Sequence, residues 1–345
     1  MEKIIKRISS PENLNCDWNN LTDSYFQTRE FLNHLHKYNP CSQRYYELYH
    51  SERLVAGTVV YTLKVDILTF ANIRSPFKLQ IIGIPASIAA PPMIGDENEF
   101  EYFLAELIGL ESGLILGINF INDYLQNKVV NLRTLPTIIF KSAYDRIESY
   151  ENSLRHPYRR RLRKIRDKFA GVDVMTSDCS VFSEEHYELY LQIMRKTTTK
   201  LETLGLDVFR YLPSNFKLTT YYAGQIMLCW YIVCHDVDVL TYFFGGMNYS
   251  LRDKYQSYNN NLLGILETAI DRHYQTIDFG QTAEIAKTRF GGELSERRMF
   301  IYHKNLVILR LFKLLRNLIA YTKVNKKCHI FKAEVFASVY QAFEF

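Results

Sequence analysis

Residues 241–292 constrain the fold more than any other stretch of the chain. An aromatic strand ends in Gly245-Gly246, and a tyrosine-rich polar loop follows. A helical pattern then runs over Tyr258 to His273, and a short apolar strand over Thr276 to Phe279. That strand closes on Asp278-Phe279-Gly280 and leads into a polar helical turn carrying Lys287, ahead of Phe290-Gly291-Gly292. Strand, loop, helix and strand in that order specify an α/β unit.

The same pattern occurs earlier. Arg44 to His50 alternates as a strand, turns at Ser51-Glu52-Arg53 and resumes over Leu54 to Leu63. Lys217 to Tyr222 likewise turns at Ala223-Gly224-Gln225 and resumes over Ile226 to Cys234. Each hairpin is followed by further strand, a helix and a short apolar strand. In the first half these last two are Glu99 to Leu110 and Leu114 to Phe120. Two degenerate copies of one α/β unit are therefore predicted, the second extending over residues 146–325 after a first over 1–145, with a tail at 326–345. At 345 residues, two domains also match the length. Amphipathic helices are expected near Asn152 to Phe169, over Ser183 to Leu204 and over Asn305 to Tyr321.

In order and spacing the 241–292 segment resembles the C-terminal core of the GNAT acyltransferase superfamily. It is most similar to the Fem-type branch, the peptidoglycan aminoacyltransferases and their relatives, which also carry two consecutive units. The resemblance spans roughly residues 140–305 and is weak over 20–140. It implies an α/β fold of two tandem GNAT-like mixed-sheet units flanked by helices. The activity it implies is transfer of an acyl or aminoacyl group to an amine, with no covalent enzyme intermediate.

Lys287 stands where the Fem-type pattern has a lysine, after the Asp-Phe-Gly strand and before an aromatic-glycine pair. A buried ammonium there would stabilise a tetrahedral oxyanion; the competing reading is a solvated lysine on a short helix. Asp278, between Ile277 and Phe279, would serve as a general base or as a structural partner for a backbone N–H or Lys287. Gly245 and Gly246 mark either a close approach of backbone to ligand or a strand end.

GNAT proteins hold the donor pyrophosphate on a glycine-rich loop at a helix N-terminus. Here that place reads Lys254 to Asn261 and lacks glycine. Tyr255 and Tyr258 are the donor-contact candidates within it. The missing glycines argue against ordinary acetyl-CoA. The segment Arg155 to Lys168 has eight Lys and Arg against one acid, Asp167. Arg159, Arg160 and Arg163 on this helix recur in Fem-type sequences and would bind phosphates of a donor, of tRNA or of a lipid-linked precursor.

The implied cosubstrate is acyl-CoA or another acyl carrier, with no tightly bound cofactor. The partners implied are an acyl donor and an amine acceptor, the donor carried by CoA, acyl carrier protein or tRNA. Acceptors in view are cell-wall or polysaccharide amino sugars, lipid precursors and peptides. The rival class is a non-catalytic GNAT-like protein that binds a polyanion or a membrane surface. Net charge is only +5, so any basic function is local, and DNA is not an expected partner. The six cysteines are scattered without C-x-x-C or paired histidine, so no metal site is expected. The N-terminus has no signal-peptide pattern, which makes a cytoplasmic location the expectation. The basic, leucine-rich C-terminal helix adds contact with a membrane periphery to it.

Overall fold

The computed structural model describes residues 2–39, 41–64, 78–86, 88–197, 202–322 and 328–332. In chain order the first elements are β1 (Lys3–Ile8), α1 (Arg29–Tyr38), β2 (Arg44–His50), β3 (Arg53–Lys64) and β4 (Lys78–Ile82). Next come β5 (Met93–Gly95), α2 (Glu97–Leu110), β6 (Leu114–Phe120), β7 (Val130–Lys141), α3 (Ile147–Ser153) and α4 (His156–Asp167). The middle holds β8 (Asp173–Asp178), α5 (Glu184–Lys196), α6 (Leu206–Arg210), β9 (Phe216–Ala223), β10 (Ile226–His235) and β11 (Val239–Met247). The last are α7 (Arg252–Tyr255), α8 (Ser257–Asp271), β12 (Thr276–Asp278), α9 (Glu284–Thr288), β13 (Glu293–His303) and α10 (Leu306–Ile319).

The chain forms two compact units. One comprises Met1–Leu135, Thr197–Tyr211 and Glu296–Lys323; the other comprises Pro136–Lys196, Leu212–Ser295 and Val324–Phe345. The units interleave along the chain instead of succeeding one another at residues 145 and 325. The cause is strand supply: β6 of the first unit pairs with the late strand β13, and β12 of the second with β7. Of the tail expected from residue 326, only 328–332 fall within the described residues. Helix α5 stops at Lys196, and 198–201 of the helix expected to reach Leu204 lie outside the described residues.

The first unit has strand order β1-β2-β3-β4-β6-β13. β4 and β6 are its parallel pair, in register from Leu79↔Leu114 to Ile82↔Gly117. Helix α2 supplies the crossover; the Asp96 side chain caps its start by accepting from the Asn98 N–H. Its residues Phe103, Leu104 and Leu107 are buried against Leu48, Val60 and Ile115. Each such side chain contributes about 1.5–3 kcal/mol on leaving water.

The second unit has order β7-β12-β11-β10-β9-β8. The β9–β10 hairpin turns where the sequence predicts, with Gly224 at φ +61°. β11 runs parallel to β12, and α8 is the crossover. Leu262, Ile265, Leu266, Ala269 and Ile270 bury its inner face on Tyr231, Val233, Leu240 and Ile277. Helix α4 adds Leu162 and Ile165 to the same core, with Tyr158 packed at its edge.

Candidate active site

The parallel ladder of the second unit is very short. β12 has three residues, and its last pair with β11 is Thr241↔Asp278. Beyond that pair the two chains part: β11 continues through Tyr242 to Met247 along β10, while Phe279 and Gly280 bond to Ile138 of β7. Asp278 and Lys287 lie at this divergence.

Asp278 holds the turn. Its Oδ1 accepts from the Thr137 hydroxyl at 2.6 Å and from the Gly280 N–H at 2.7 Å. The second bond closes an Asx turn, and Gly280 takes φ +69°. Thr282 and Ala283 are also left-handed, at φ +64° and +49°. Such positions cost a non-glycine residue about 1–3 kcal/mol each and persist where surrounding contacts hold them.

Lys287 binds the start of this turn. It lies on α9 and is only 2% exposed. Its Nζ donates to the carbonyls of Gly280 at 3.2 Å and Gln281 at 2.5 Å. Two of the three ammonium protons are thus engaged, and one N–H remains among the described residues. The ammonium lies 5.8 Å from the centroid of the Tyr242 ring. Burial lowers the Lys287 pKa to about 7, partly offset by the charges of Asp278 and Glu284. Of the two readings of this residue, the solvated lysine does not hold.

Tyr242 connects Lys287 to the glycine pair. A Cβ on Gly245 would come within 2.4 Å of the Tyr242 hydroxyl. One on Gly246 would lie 2.2 Å from Nε1 of Trp230. A side chain at either glycine would thus collide with the packing of β11 and β10. Burial pushes the Tyr242 and Tyr258 hydroxyls well above the usual tyrosine range.

Tyr255 and Tyr258 flank the start of α8. Gln256 between them is left-handed, at φ 51°, and the N-terminus of α8 has no side-chain cap. Tyr255 and Tyr258 pack with Leu228 and Met247, and Tyr258 also meets the α8 core. Ser257 and Asn261 are buried in this first turn, and Ser257 Oγ and Asn261 Oδ1 have no hydrogen-bond partner among the described residues.

On α4 the predicted arginines are not the ones nearest this turn. Arg160 and Arg163 are exposed and Arg159 is half-buried; none of the three makes an ion pair among the described residues. Arg161 is the residue that reaches α8. Its Nη2 donates to Asn259 Oδ1 at 2.8 Å, and its guanidinium lies 5.6 Å from the Phe290 ring centroid. Burial and the nearby Arg289 charge lower its pKa. Two neighbouring guanidiniums, neither in an ion pair with a described carboxylate, make a local positive field. Arg166 is neutralised by Glu151 at 2.6 Å and Glu267 at 2.8 Å. The sequence carried the signal for Arg161. At 100° per residue it borders the Tyr158, Leu162, Ile165 stripe, with Arg159 on the stripe's other flank, whereas Arg160 and Arg163 point away from it.

No family model matches the chain, and no curated protein matches it. Solved structures do. FemX superposes with a TM-score of 0.54 at 12% identity, over 92% of this chain and 100% of that one. L-PGS from Bacillus licheniformis gives 0.49 at 12% identity, over 83% and 94%. A tandem GNAT protein from the clavulanic acid biosynthesis pathway gives 0.45 at 8% identity, over 87% and 98%. The chain shares its fold with FemX: two units of mixed parallel and antiparallel strands flanked by helices.

Proposed function

We propose that the chain is an N-acyltransferase that moves an acyl or aminoacyl group from a carrier to an amine. The observation that carries this reading is the buried Lys287 ammonium, held by the Gly280 and Gln281 carbonyls beside the end of the β11–β12 ladder. A desolvated cation costs stability, and groups perturbed in this way cluster at functional sites.

In the reaction the acceptor amine attacks the carbonyl carbon of the donor, and the carbonyl oxygen becomes an oxyanion. The remaining N–H of Lys287 donates to it, in a site where water does not screen the charge. Collapse of the tetrahedral intermediate re-forms the carbonyl and expels the carrier as thiol or ribose hydroxyl. The proton released by the attacking nitrogen goes to that leaving group. Asp278 acts as a positioning residue: by binding Thr137 and Gly280 it sets the carbonyl that receives Lys287.

Carrier phosphates are assigned to the first turn of α8, with Arg161 and Arg289 as counter-charges and Tyr255 and Tyr258 beside the chain. Uncapped N–H groups and a helix dipole favour an anion there. Arg159, Arg160 and Arg163 extend the field outward, as a longer carrier such as charged tRNA or an acyl carrier protein requires. The acceptor class that accords with a Fem-type fold is a cell-envelope amine.

The test is a thermal-shift series with acetyl-CoA, long-chain acyl-CoA, free CoA, acyl carrier protein and charged tRNA, followed by turnover with amine acceptors. A saturable rise in Tm with one donor class, lost in Arg161→Ala, is the expected result. If no donor class shifts the Tm and none is consumed, the acyltransferase reading fails.

A further inference from the structure

Helix α10 has two apolar faces, and among the described residues only one of them has a partner. Its inner side packs Leu309, Phe312 and Ile319 onto the core of Leu132, Met299 and Ile301. Its outer side presents Val307, Leu311, Leu314 and Leu318, at positions i, i+4, i+7 and i+11, with exposures of 72%, 53%, 82% and 82%. Leu110, 60% exposed, follows Gly109, whose carbonyl accepts from Lys304 Nζ at 3.0 Å near the start of the helix. An apolar stripe of this length on a solvent-facing helix marks an interaction surface.

Charge narrows what covers it. α10 carries Arg310, Lys313 and Arg316 and no acidic residue, and Lys304 precedes it. The helix is also held in place. Asn305 caps its start by accepting from the Val307 N–H, and the Tyr321 N–H donates to the Arg133 carbonyl at 3.0 Å. Its 14 residues span about 21 Å, short of the roughly 30 Å of a bilayer core. Among the described residues no helix is long and apolar enough to cross a membrane.

We propose that the outer face of α10 docks on the surface of an anionic phospholipid bilayer. Val307, Leu311, Leu314 and Leu318 enter the boundary between headgroups and acyl chains, with the helix lying in the membrane plane. Arg310, Lys313 and Arg316 meet the lipid phosphates. A second copy of the chain is a poorer occupant. Two α10 faces set together would oppose their basic residues, and the helix has no acid to compensate.

The experiment is flotation of the full chain with vesicles of phosphatidylcholine alone and of phosphatidylcholine with phosphatidylglycerol. The chain is expected to float with the anionic vesicles, weakly with the neutral ones, and less as salt rises. Leu314→Ser/Leu318→Ser should lower the partition by at least about tenfold. Arg310→Gln/Lys313→Gln should lower it about 25-fold, at roughly fivefold for each basic residue beside an anionic leaflet. Both pairs lie on the outer face, so circular dichroism should be unchanged. A Leu314→Trp variant should shift its emission to the blue only when anionic vesicles are added. Absence of flotation overturns the proposal. So does blue emission from that tryptophan without vesicles, which shows the face already covered by the chain itself. A dimer in sedimentation velocity that Leu314→Ser/Leu318→Ser dissolves would assign the face to a second copy instead.

Discussion

The Lys287 ammonium lies 5.8 Å from the Tyr242 ring centroid, and the Tyr242 hydroxyl occupies the space a side chain on Gly245 would fill. One tyrosine thereby joins the strand-end glycine to the buried cation. Lys287→Ala removes the oxyanion donor and leaves the fold's apolar contacts in place. It should lower kcat/KM by about 10²–10³-fold, the usual loss for one such donor. Steady-state kinetics with an intact far-UV spectrum is the check, and unchanged turnover would remove Lys287 from the chemistry.

The pKa of about 7 for Lys287 also makes a stability prediction. Below pH 7 the lysine is protonated in both the folded and the unfolded chain. Between about pH 7 and 10.5 the unfolded chain holds more protons, so this group makes stability rise with pH. The gain between pH 7 and 9 should be about 2 kcal/mol. Urea unfolding at the two pH values, compared with Lys287→Met, isolates it: the rise should be missing from the variant.

Activity should move the opposite way. An oxyanion donor must carry its proton, so kcat/KM should decline as pH increases through about 7. Lys287→Arg, which stays charged, should keep a flat profile across that range at reduced rate. A decline that persists unchanged in Lys287→Arg would belong to another group.

Arg161 and Arg163 should separate cleanly. Arg161 reaches Asn259 in the first turn of α8, whereas Arg163 is exposed. Arg161→Ala should raise the KM for the donor about tenfold or more, since charge-assisted contacts contribute roughly 1.5–3 kcal/mol. Arg163→Ala should change it less than threefold, with a smaller salt dependence, as expected of a screened surface charge. Equal effects would mean the carrier does not enter through α8.

Gly246 is predicted to be intolerant for packing reasons alone. Nε1 of Trp230 donates to the His186 carbonyl at 2.8 Å, so the indole cannot retreat from a new Cβ. Gly246→Ala should cost about 1–3 kcal/mol or more, as overpacked cores do, and calorimetry would show it as a lowered Tm.

Much of the second unit was legible in the sequence because local rules agree there. Gly224 fits the left-handed turn of the β9–β10 hairpin, and the α8 apolar pattern leaves little choice of face. The Lys287 position followed from a motif, and its burial follows from the turn that Asp278 closes. What escaped was set by tertiary packing. Gly245 and Gly246 read equally as a close approach to ligand or as a strand end, and only the packing shows that Tyr242 and Trp230 lie beside them. The exchange of β7 and β13 has no local signal, since either strand pairs with a partner far away in sequence.

That exchange bears on how the chain is made. While the ribosome is still producing residues 136–292, β6 has been synthesised but its antiparallel neighbour β13 has not. The first unit therefore carries an open strand edge from the end of β6 at Phe120 until β13 begins at Glu293. Open edges of this kind attract chaperones or pair wrongly with other chains. Translation that stalls before Glu293 should yield a product prone to aggregation, however well the second unit has formed.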